Sequence, residues 1–455
     1  MKYIPLKLLF FLFVTNTLVA QIVNKGDIKI SWGTNVYISG LDIINDNSGH
    51  LWSNNGTVIF KGDNFTNDGD MDANATGTTE FSGANEQYIN GSNTAYFHNL
   101  VVNNTNNSVI QQTFVDADNL RVNDGAKDFD YKVVNDKSLT VNDVVTSNGD
   151  IRMIGTAQLI QTHPGASSNS GSKYLWIDQS GTTNQYWYNY WSAPVNQSGL
   201  WKIIYLRDGA EGDDNNISKY PLIQTIVSSA PSNDLPTQIS HPVTLNAYWI
   251  FGFKNGLDGD YQTWFDNHLQ DTGTVTPGEG YTMKGPGVDA NLNNGNGNNT
   301  TTYKNWTFAG TPNDGDYSLS ITAGNDYLVG NPYPSSLDAD QFIKDNINSA
   351  NGGNNSIDVF NGTLYFWEHT DGNDHYKDHY DGGYASYNLT GGTPSTSWKS
   401  GNTVGAKTPD RYIPVGQGFF VWSETTNDGG NITFNNAQRI FKTTPNTLIR
   451  PVSLT

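Results

Sequence analysis

The 455 residues include no cysteine. That excludes disulfides, thiolate metal sites, cysteine nucleophiles and lipid anchoring through an N-terminal Cys. Positive charge is also scarce: 25 Lys and Arg stand against 44 Asp and Glu, a formal charge of −19. A surplus of that sign argues against nucleic acid or an anionic membrane surface as partner, since both are anionic. Hydrophobic residues make up only 36%, and after Ala20 no apolar run approaches the length of a membrane span. What is plentiful argues against disorder. Aromatics reach 12% and glycine counts 47, whereas disordered chains are poor in aromatics. The pairing suits an all-β protein with many turns.

Met1 to Ala20 has the layout of an export signal: Lys2 and Lys7, an apolar core from Leu8 to Val14, and a small residue before Gln21. The core is too short for a stable span, so cleavage is expected rather than anchoring. The expected location is extracellular or on the outer cell surface, or periplasmic without outer-membrane export. No membrane insertion is expected after signal removal.

From about residue 30 to 165 the sequence repeats itself. Val58-Ile-Phe60, Thr79-Glu-Phe81, Leu100-Val-Val102, Leu120-Arg-Val122, Leu139-Thr-Val141 and Leu159-Ile-Gln161 recur at intervals of 21, 21, 20, 19 and 20. Strand side chains alternate, so the first and third residues of each triplet share a face, and those positions are mostly apolar. One short strand per period, separated by Gly, Asn and Asp turns, predicts a parallel β-solenoid. Asn103, Asn123 and Asn142 each follow a triplet, which predicts a stacked amide ladder at one corner.

The stretch from Gly62 to Asn74, with TGTTEFSGANEQYINGS and YFHNLVVNN after it, resembles repeats of secreted cell-surface proteins from Bacteroidetes. That resemblance implies an extracellular structural or adhesive role and names no substrate.

Ten of the twelve tryptophans lie after residue 170, where the short period stops. His163 to Lys173, small, polar and broken by Pro, suits a linker. A longer repeat then begins. Tyr190-Trp-Ser-Ala-Pro194 corresponds to Val329-Gly-Asn-Pro332, and Pro277-Gly-Glu-Gly-Tyr281 to Pro414-Val-Gly-Gln-Gly-Phe419. Pro194 and Pro277 stand 83 residues apart, Pro332 and Pro414 82. Between them each copy has an aromatic strand, Ala247 to Phe253 and Thr363 to Trp367, then a Gly/Asp-rich loop. Each closes on Trp306-Thr-Phe308 or Ile432-Thr-Phe434. One helix is expected, from about Leu337 to Ile347, capped by Ser335 or Ser336. Residues 287–302 suit a loop.

Tyr327 to Ile343 (YLVGNPYPSSLDADQFI), with LYFWEH and IPVGQGFFVW, resembles a module of exported Bacteroidetes proteins. Many of these carry a C-terminal sorting domain for the type IX secretion route. The sequence ends in RPVSLT with no recognisable sorting domain, so the expectation is a fragment or a different export route.

Chemistry is sparsely marked. His369 to Asp381 gathers three histidines and four aspartates, and His375 and His379 could ligate a transition metal. The favoured reading is a solvated polar loop, since its counterpart in the first copy keeps only His268. Asp68, Asp70 and Asp72 alternate as in calcium loops but lack the distal Glu of a complete one. No cofactor is required by any motif, and calcium is the ion the pattern admits. No Gly-x-Ser-x-Gly, Walker or His-Glu-x-x-His sequence occurs. A lyase on the solenoid would want clustered acids and a base, and Arg121 beside Asp118 and Asp124 is the nearest grouping. The loop aromatics Tyr261, Trp264, Phe265, Tyr376, Tyr380 and Tyr384 admit glycan binding by stacking plus orienting hydrogen bonds. Trp249, Phe251, Phe366 and Trp422, inside strand patterns, are assigned to the core.

The expected architecture is therefore all-β. A signal occupies 1–20, a β-helix-like solenoid 21–165, and a linker with an entry strand 166–184. Two duplicated, sandwich-like units follow at 185–322 and 323–442, then a tail at 443–455. The expected role is a non-catalytic, adhesin-like surface protein whose partner is an extracellular glycan or cell-surface component. The alternatives are a polysaccharide lyase or hydrolase with its cleft on the solenoid, and a structural spacer.

Overall fold

A computed structural model describes residues 20–48, 51–125, 129–182, 184, 186–208, 224–226, 244–285, 303–371, 379–399, 404–405 and 407–443. The export signal apart from Ala20, the 287–302 loop, and the site candidates His375 and Tyr376 lie outside them. Among the described residues no helix is long and apolar enough to cross a membrane.

The N-terminal region is a parallel β-solenoid of about seven turns. Each turn carries three short strands on three faces. The first face runs through Gln21–Asn24, Asp42–Asn45, Asn64–Asn67, Gln87–Asn90, Val109–Gln111, Tyr131–Val133, Ile151–Met153 and Leu175–Thr182. The second starts at Ile28–Ile30, Leu51–Asn54 and Asp70–Met71. It continues in the first halves of Ala95–Val102 and Val115–Val122, then Ser138–Val141 and Gln158–Gln161. The third takes Asn35–Ser39, Thr57–Lys61 and Thr78–Phe81, the second halves of those two long strands, Val145–Ser147 and Ser170–Gly171.

This corrects the expectation of one strand per period. It also moves two triplets: Leu139-Thr-Val141 stacks on Val115 to Ala117, and Leu159 follows Leu139 on that second face. Val145 to Ser147 takes the place above Leu120 to Val122. Apolar residues fill inward positions on all three faces, so an L-x-V pattern marks the inside without saying which face it is on. The interval of 19 hides the change of face.

The asparagine ladder is corrected for the same reason. Asn123 donates to Asn103 at 3.1 Å, but Asn142 sits above Asp116 and Asp118, donating to them at 3.0 and 3.2 Å. A buried ladder stands at another corner: Asn24 donates to Asn45 and Asn45 to Asn67, both at 2.8 Å. Ile-Val-Asn24, Ile-Ile-Asn45 and Phe-Thr-Asn67 carried that signal in the sequence. The solenoid interior between them is aromatic. Phe60, Phe65, Phe81 and Phe97 form a continuous stack with ring centroids 5.4 to 6.0 Å apart, and Trp52 meets Phe65 edge-on.

The region expected to be a linker is ordered and closes the solenoid. Leu175–Thr182 continues the first face in parallel, then pairs antiparallel with Tyr303–Pro312, so the stack passes directly into the first unit. The last edge of the second face is covered by the second unit. Leu159 N–H donates to the Pro334 carbonyl at 3.0 Å, and Gln158 is bonded to Ser336 and Lys442. Between them Arg439, fully buried, donates to the Leu159 carbonyl at 2.7 Å and lies 3.6 Å from the buried Asp314. An open sheet edge invites pairing with other chains, and the second unit removes this one.

The duplication is visible in strand register. Tyr188–Trp191 pairs with Tyr281–Lys284 so that Trp191 faces Tyr281, and Asn325–Gly330 pairs with Gly418–Trp422 so that Val329 faces Phe419. Both partners are displaced by 138 positions. An outer pair repeats too: Leu175–Thr182 with Tyr303–Pro312, and Tyr317–Ile321 with Gly430–Phe434. The repeating strands thus begin at Leu175 and Tyr317, one strand earlier than 185 and 323.

The copies meet reciprocally, Trp191 bridging to Gln417 and Val329 to Glu279. Ser192 N–H donates to the Gly416 carbonyl at 2.7 Å and Gly330 N–H to the Gly278 carbonyl at 3.0 Å. This crossing explains the Gly-aromatic motif. A Cβ on Gly280 would stand 2.7 Å from the Val329 oxygen, and one on Gly418 2.8 Å from the Trp191 nitrogen.

The expected helix is Ala339–Asn346, capped by Asp338 rather than Ser335 or Ser336. Both serines are buried, and Ser336 opens the strand Ser336–Asp338. A second helix, Tyr261–Asp266, was not expected. Asp260 starts it by accepting from Gln262 N–H, with Thr263 Oγ1 on its other oxygen at 2.7 Å. The segment from Ala247 to Phe253 is not a strand but a 3-10 turn, Ala247–Trp249, followed by single bridges at Phe251.

Candidate functional site: an aromatic sheet face where the two units meet

The second unit is built on a six-stranded sheet in the order Gly256–Leu257, Asn325–Gly330, Gly418–Trp422, Leu364–Asp371, Asp381–Asn388, Gly391–Thr393. Alternation sends Tyr327, Val329, Leu364, Phe366, Phe419 and Val421 to one side, against Phe342 of the helix Ala339–Asn346. The opposite side carries Asp326, Leu328, Tyr365, Trp367, Tyr384, Phe420 and Trp422. Register sets Asp326 against Trp422, Leu328 against Phe420, and Trp367 against Tyr384. A strand apolar on both faces needs cover on both. The first unit supplies only part of it.

Phe420 is the centre of that cover. Its ring lies 6.0 Å from Tyr190, 5.5 Å from Phe253, 5.9 Å from Trp264 and 5.8 Å from Tyr384. Phe420 is buried, while Trp264, Tyr365, Trp367, Tyr384 and Trp422 are half-buried. Trp422 lies flat on Tyr365, centroids 3.5 Å apart and planes at 15°, and meets Tyr384 edge-on at 5.8 Å. Phe366 is in the core as expected, but Trp422 is not: it belongs to this open face.

One carboxylate is set among these rings. Asp326 is 8% exposed and takes part in no side-chain hydrogen bond. Burial first, and the negative charge of exposed Asp258 second, push its pKa up to about 7. Both charges also act on the Tyr384 hydroxyl, and Asp326 acts on that of Tyr365. A buried carboxylate with no partner is costly, so such a group is seldom left without a reason.

The expected binding residues fall into three places. Tyr384 and Trp264 are on the face, Trp264 turned inward over Phe253 at 5.0 Å. Tyr261 and Phe265, 56% and 59% exposed, project from the outer side of the helix Tyr261–Asp266. Tyr380 belongs to a different cluster. The buried ammonium of Lys284 lies 3.6 Å from the Trp249 centroid, 4.8 Å from Tyr188 and 4.7 Å from Tyr380, and donates to the Tyr380 hydroxyl. This aromatic cage is filled by the protein's own cation. His369 adjoins it, its Nε2 accepting from Tyr188 N–H at 3.0 Å. Burial, then Lys284, lower the His369 pKa to about 3, so its ring stays neutral.

The metal candidates do not converge. Asp68 accepts from Ser92, Asp72 from Ser53 and Asn74, and Asp70 is exposed on the edge strand Asp70–Met71. His379 is exposed. Among the described residues no three His, Asp or Glu side chains stand where they would hold a metal ion. The residues of the lyase grouping are each engaged elsewhere: Asp118 is bonded to His98 at 2.6 Å, Arg121 to Asn123, and Asp124 lies 3.4 Å from Lys173.

A Ser-His-Asp grouping occurs at the solenoid cap, with Ser168 Oγ 3.1 Å and the Asp314 carboxylate 2.8 Å from His163. Both use Nε2, whereas a relay needs the acid on Nδ1, which here faces the Pro164 carbonyl at 3.3 Å. It is a structural knot.

A family model described as "Domain of unknown function (DUF8693)" matches residues 214–453. The chain belongs to this family. The matched span takes in Asp258, Trp264, Asp326, Tyr365, Tyr384, Phe420 and Trp422, all of the aromatic face except Tyr190. No curated protein matches the chain, and no solved structure does.

Sequence reasoning missed Asp326, Tyr365 and Trp367 and put Trp422 in the core. The signal was present in Leu364-Tyr-Phe-Trp367, where aromatic residues on both faces require a second covering layer.

Proposed function

We propose that the protein is an exported, non-catalytic glycan-binding protein, adhesin-like and displayed outside the cell on its solenoid. The open aromatic face carries this reading. Flat, half-buried Trp and Tyr rings beside carboxylates are what a sugar needs, apolar C–H surfaces to stack and hydroxyls to orient. Export is supported by the Lys-flanked apolar layout of Met1 to Ala20. Likeness to surface modules of Bacteroidetes supports a partner on or near the cell exterior.

The test is affinity electrophoresis of the whole protein through gels holding different soluble polysaccharides, with Trp422→Ala alongside. Retardation by a particular glycan that Trp422→Ala loses is the expected result. Retardation by none would sink the reading and favour a spacer. Shortened polysaccharide chains would replace binding with the enzymatic alternative.

A further inference from the structure

We propose that the aromatic face selects a cationic sugar, a hexosamine with a free amino group, its ammonium held between Asp326 and Asp258. This rests on the glycan-binding reading and names the class of sugar.

Three observations carry it. Asp326 is buried among aromatic rings and no group among the described residues donates to its carboxylate, so a cation from outside would be its first charged partner. Exposed Asp258 lies two residues beyond Gly256, which pairs with Asp326 in the sheet, and adds a second negative charge that a neutral ligand would leave repelling and an ammonium would bridge. Finally, Trp422 stands opposite Asp326 in the sheet with Tyr365 flat against it and Tyr384 edge-on. A cation near the face of such rings gains attraction, while the sugar ring supplies the flat C–H surface that stacks.

A metal ion fits less well. It would need a fuller ring of oxygens than two carboxylates, and no third acid or histidine joins them among the described residues. The Lys284 cage elsewhere in the chain shows the same pairing of ammonium and aromatic rings, satisfied internally. On the Asp326 face no such internal cation is present among the described residues.

The test is calorimetric titration of the whole protein with three short oligosaccharides of equal length: β-1,4-linked glucosamine, its N-acetylated form, and glucose. A lysine tetrapeptide and an EDTA control accompany them. A charge of −19 attracts any polycation, so the decisive readout is site-specific loss. The glucosamine oligomer is expected to bind at least tenfold tighter than the acetylated one. Asp258→Asn, at an exposed position, and Asp326→Asn should each reduce that ratio several-fold. Equal or tighter binding of the acetylated or glucose oligomer would overturn the inference and keep the glycan reading. No binding of any saccharide would overturn both. A preference unchanged by both variants would mean non-specific attraction, loss with EDTA would assign the acids to a metal, and tighter binding of the lysine peptide would assign the face to protein.

Discussion

The solenoid and the paired β units treat the same kinds of residue in opposite ways. In the solenoid the phenylalanines of successive turns face inward and touch, and the buried asparagines of the first corner are bonded to one another. In the second unit the aromatic surplus lies on the outer side of a sheet, half covered, with a buried acid that bonds to nothing. A repeating stack reuses one solution at successive levels, so Asn24, Asn45 and Asn67 each find an equivalent above or below. The duplicated units form a single junction instead of a stack, and Asp326 there has no equivalent neighbour to satisfy it. An uncompensated group at such a place is what the proposed ligand would satisfy.

The comparison can be broken first in the aromatic stack. Phe81→Ala should cost about 3–5 kcal/mol, because the ring is wholly enclosed by Phe60, Phe65 and Phe97 and the turns above and below cannot collapse into the gap. Chemical denaturation measures it, and a loss below about 1 kcal/mol would mean the stack is not the solenoid's core. Next is the polar ladder. Asn45→Ala removes the middle rung, leaving the Asn24 donor and the Asn67 acceptor buried and unpaired, for about 2–3 kcal/mol. If stability is unchanged, water replaces the rung and the ladder is decoration.

Asp326→Asn should act in the other direction, by about 1–2 kcal/mol at pH 8, since it removes a charge the fold does not compensate. The sign follows from the pKa. Between the ordinary 3.8 and the raised value of about 7, the folded protein keeps a proton that the unfolded chain has released. Asp326 therefore lowers stability progressively as pH climbs through that window, and its cost is level above it. The variant's advantage should vanish below pH 4 and be complete at pH 8. His369 has the opposite slope, its pKa lowered from 6.5 to about 3, so stability is lost as pH falls through that range. Subtracting wild type from variant cancels it. A pH-independent difference would contradict an unpaired, buried carboxylate.

Legibility divided along the same boundary. The inward alternation of Val58 and Phe60, or Leu100 and Val102, announced a stacked strand because a period of two is a local property of the backbone. The matched proline spacings announced the duplication, and the register of Trp191 with Tyr281 and Val329 with Phe419 follows it. Asn142 went astray because two faces share one apolar pattern and only the path of the chain tells them apart. Tyr380 went astray because its partner, Lys284, is 96 residues away. Asp326 sat in a strand like many others, and only the approach of Trp422 and Asp258 made it unusual.

By itself, then, the sequence determined an acidic, cysteine-free, all-β chain with a stacked repeat followed by a duplicated module, since composition, alternation and spacing act over a few residues at a time. The tertiary structure decided which face each strand occupies, that both units cap the solenoid, and that one sheet face is left aromatic and open with an unpaired acid. Those outcomes depend on which distant surfaces cover one another, and burial is a property of that meeting, not of any residue alone.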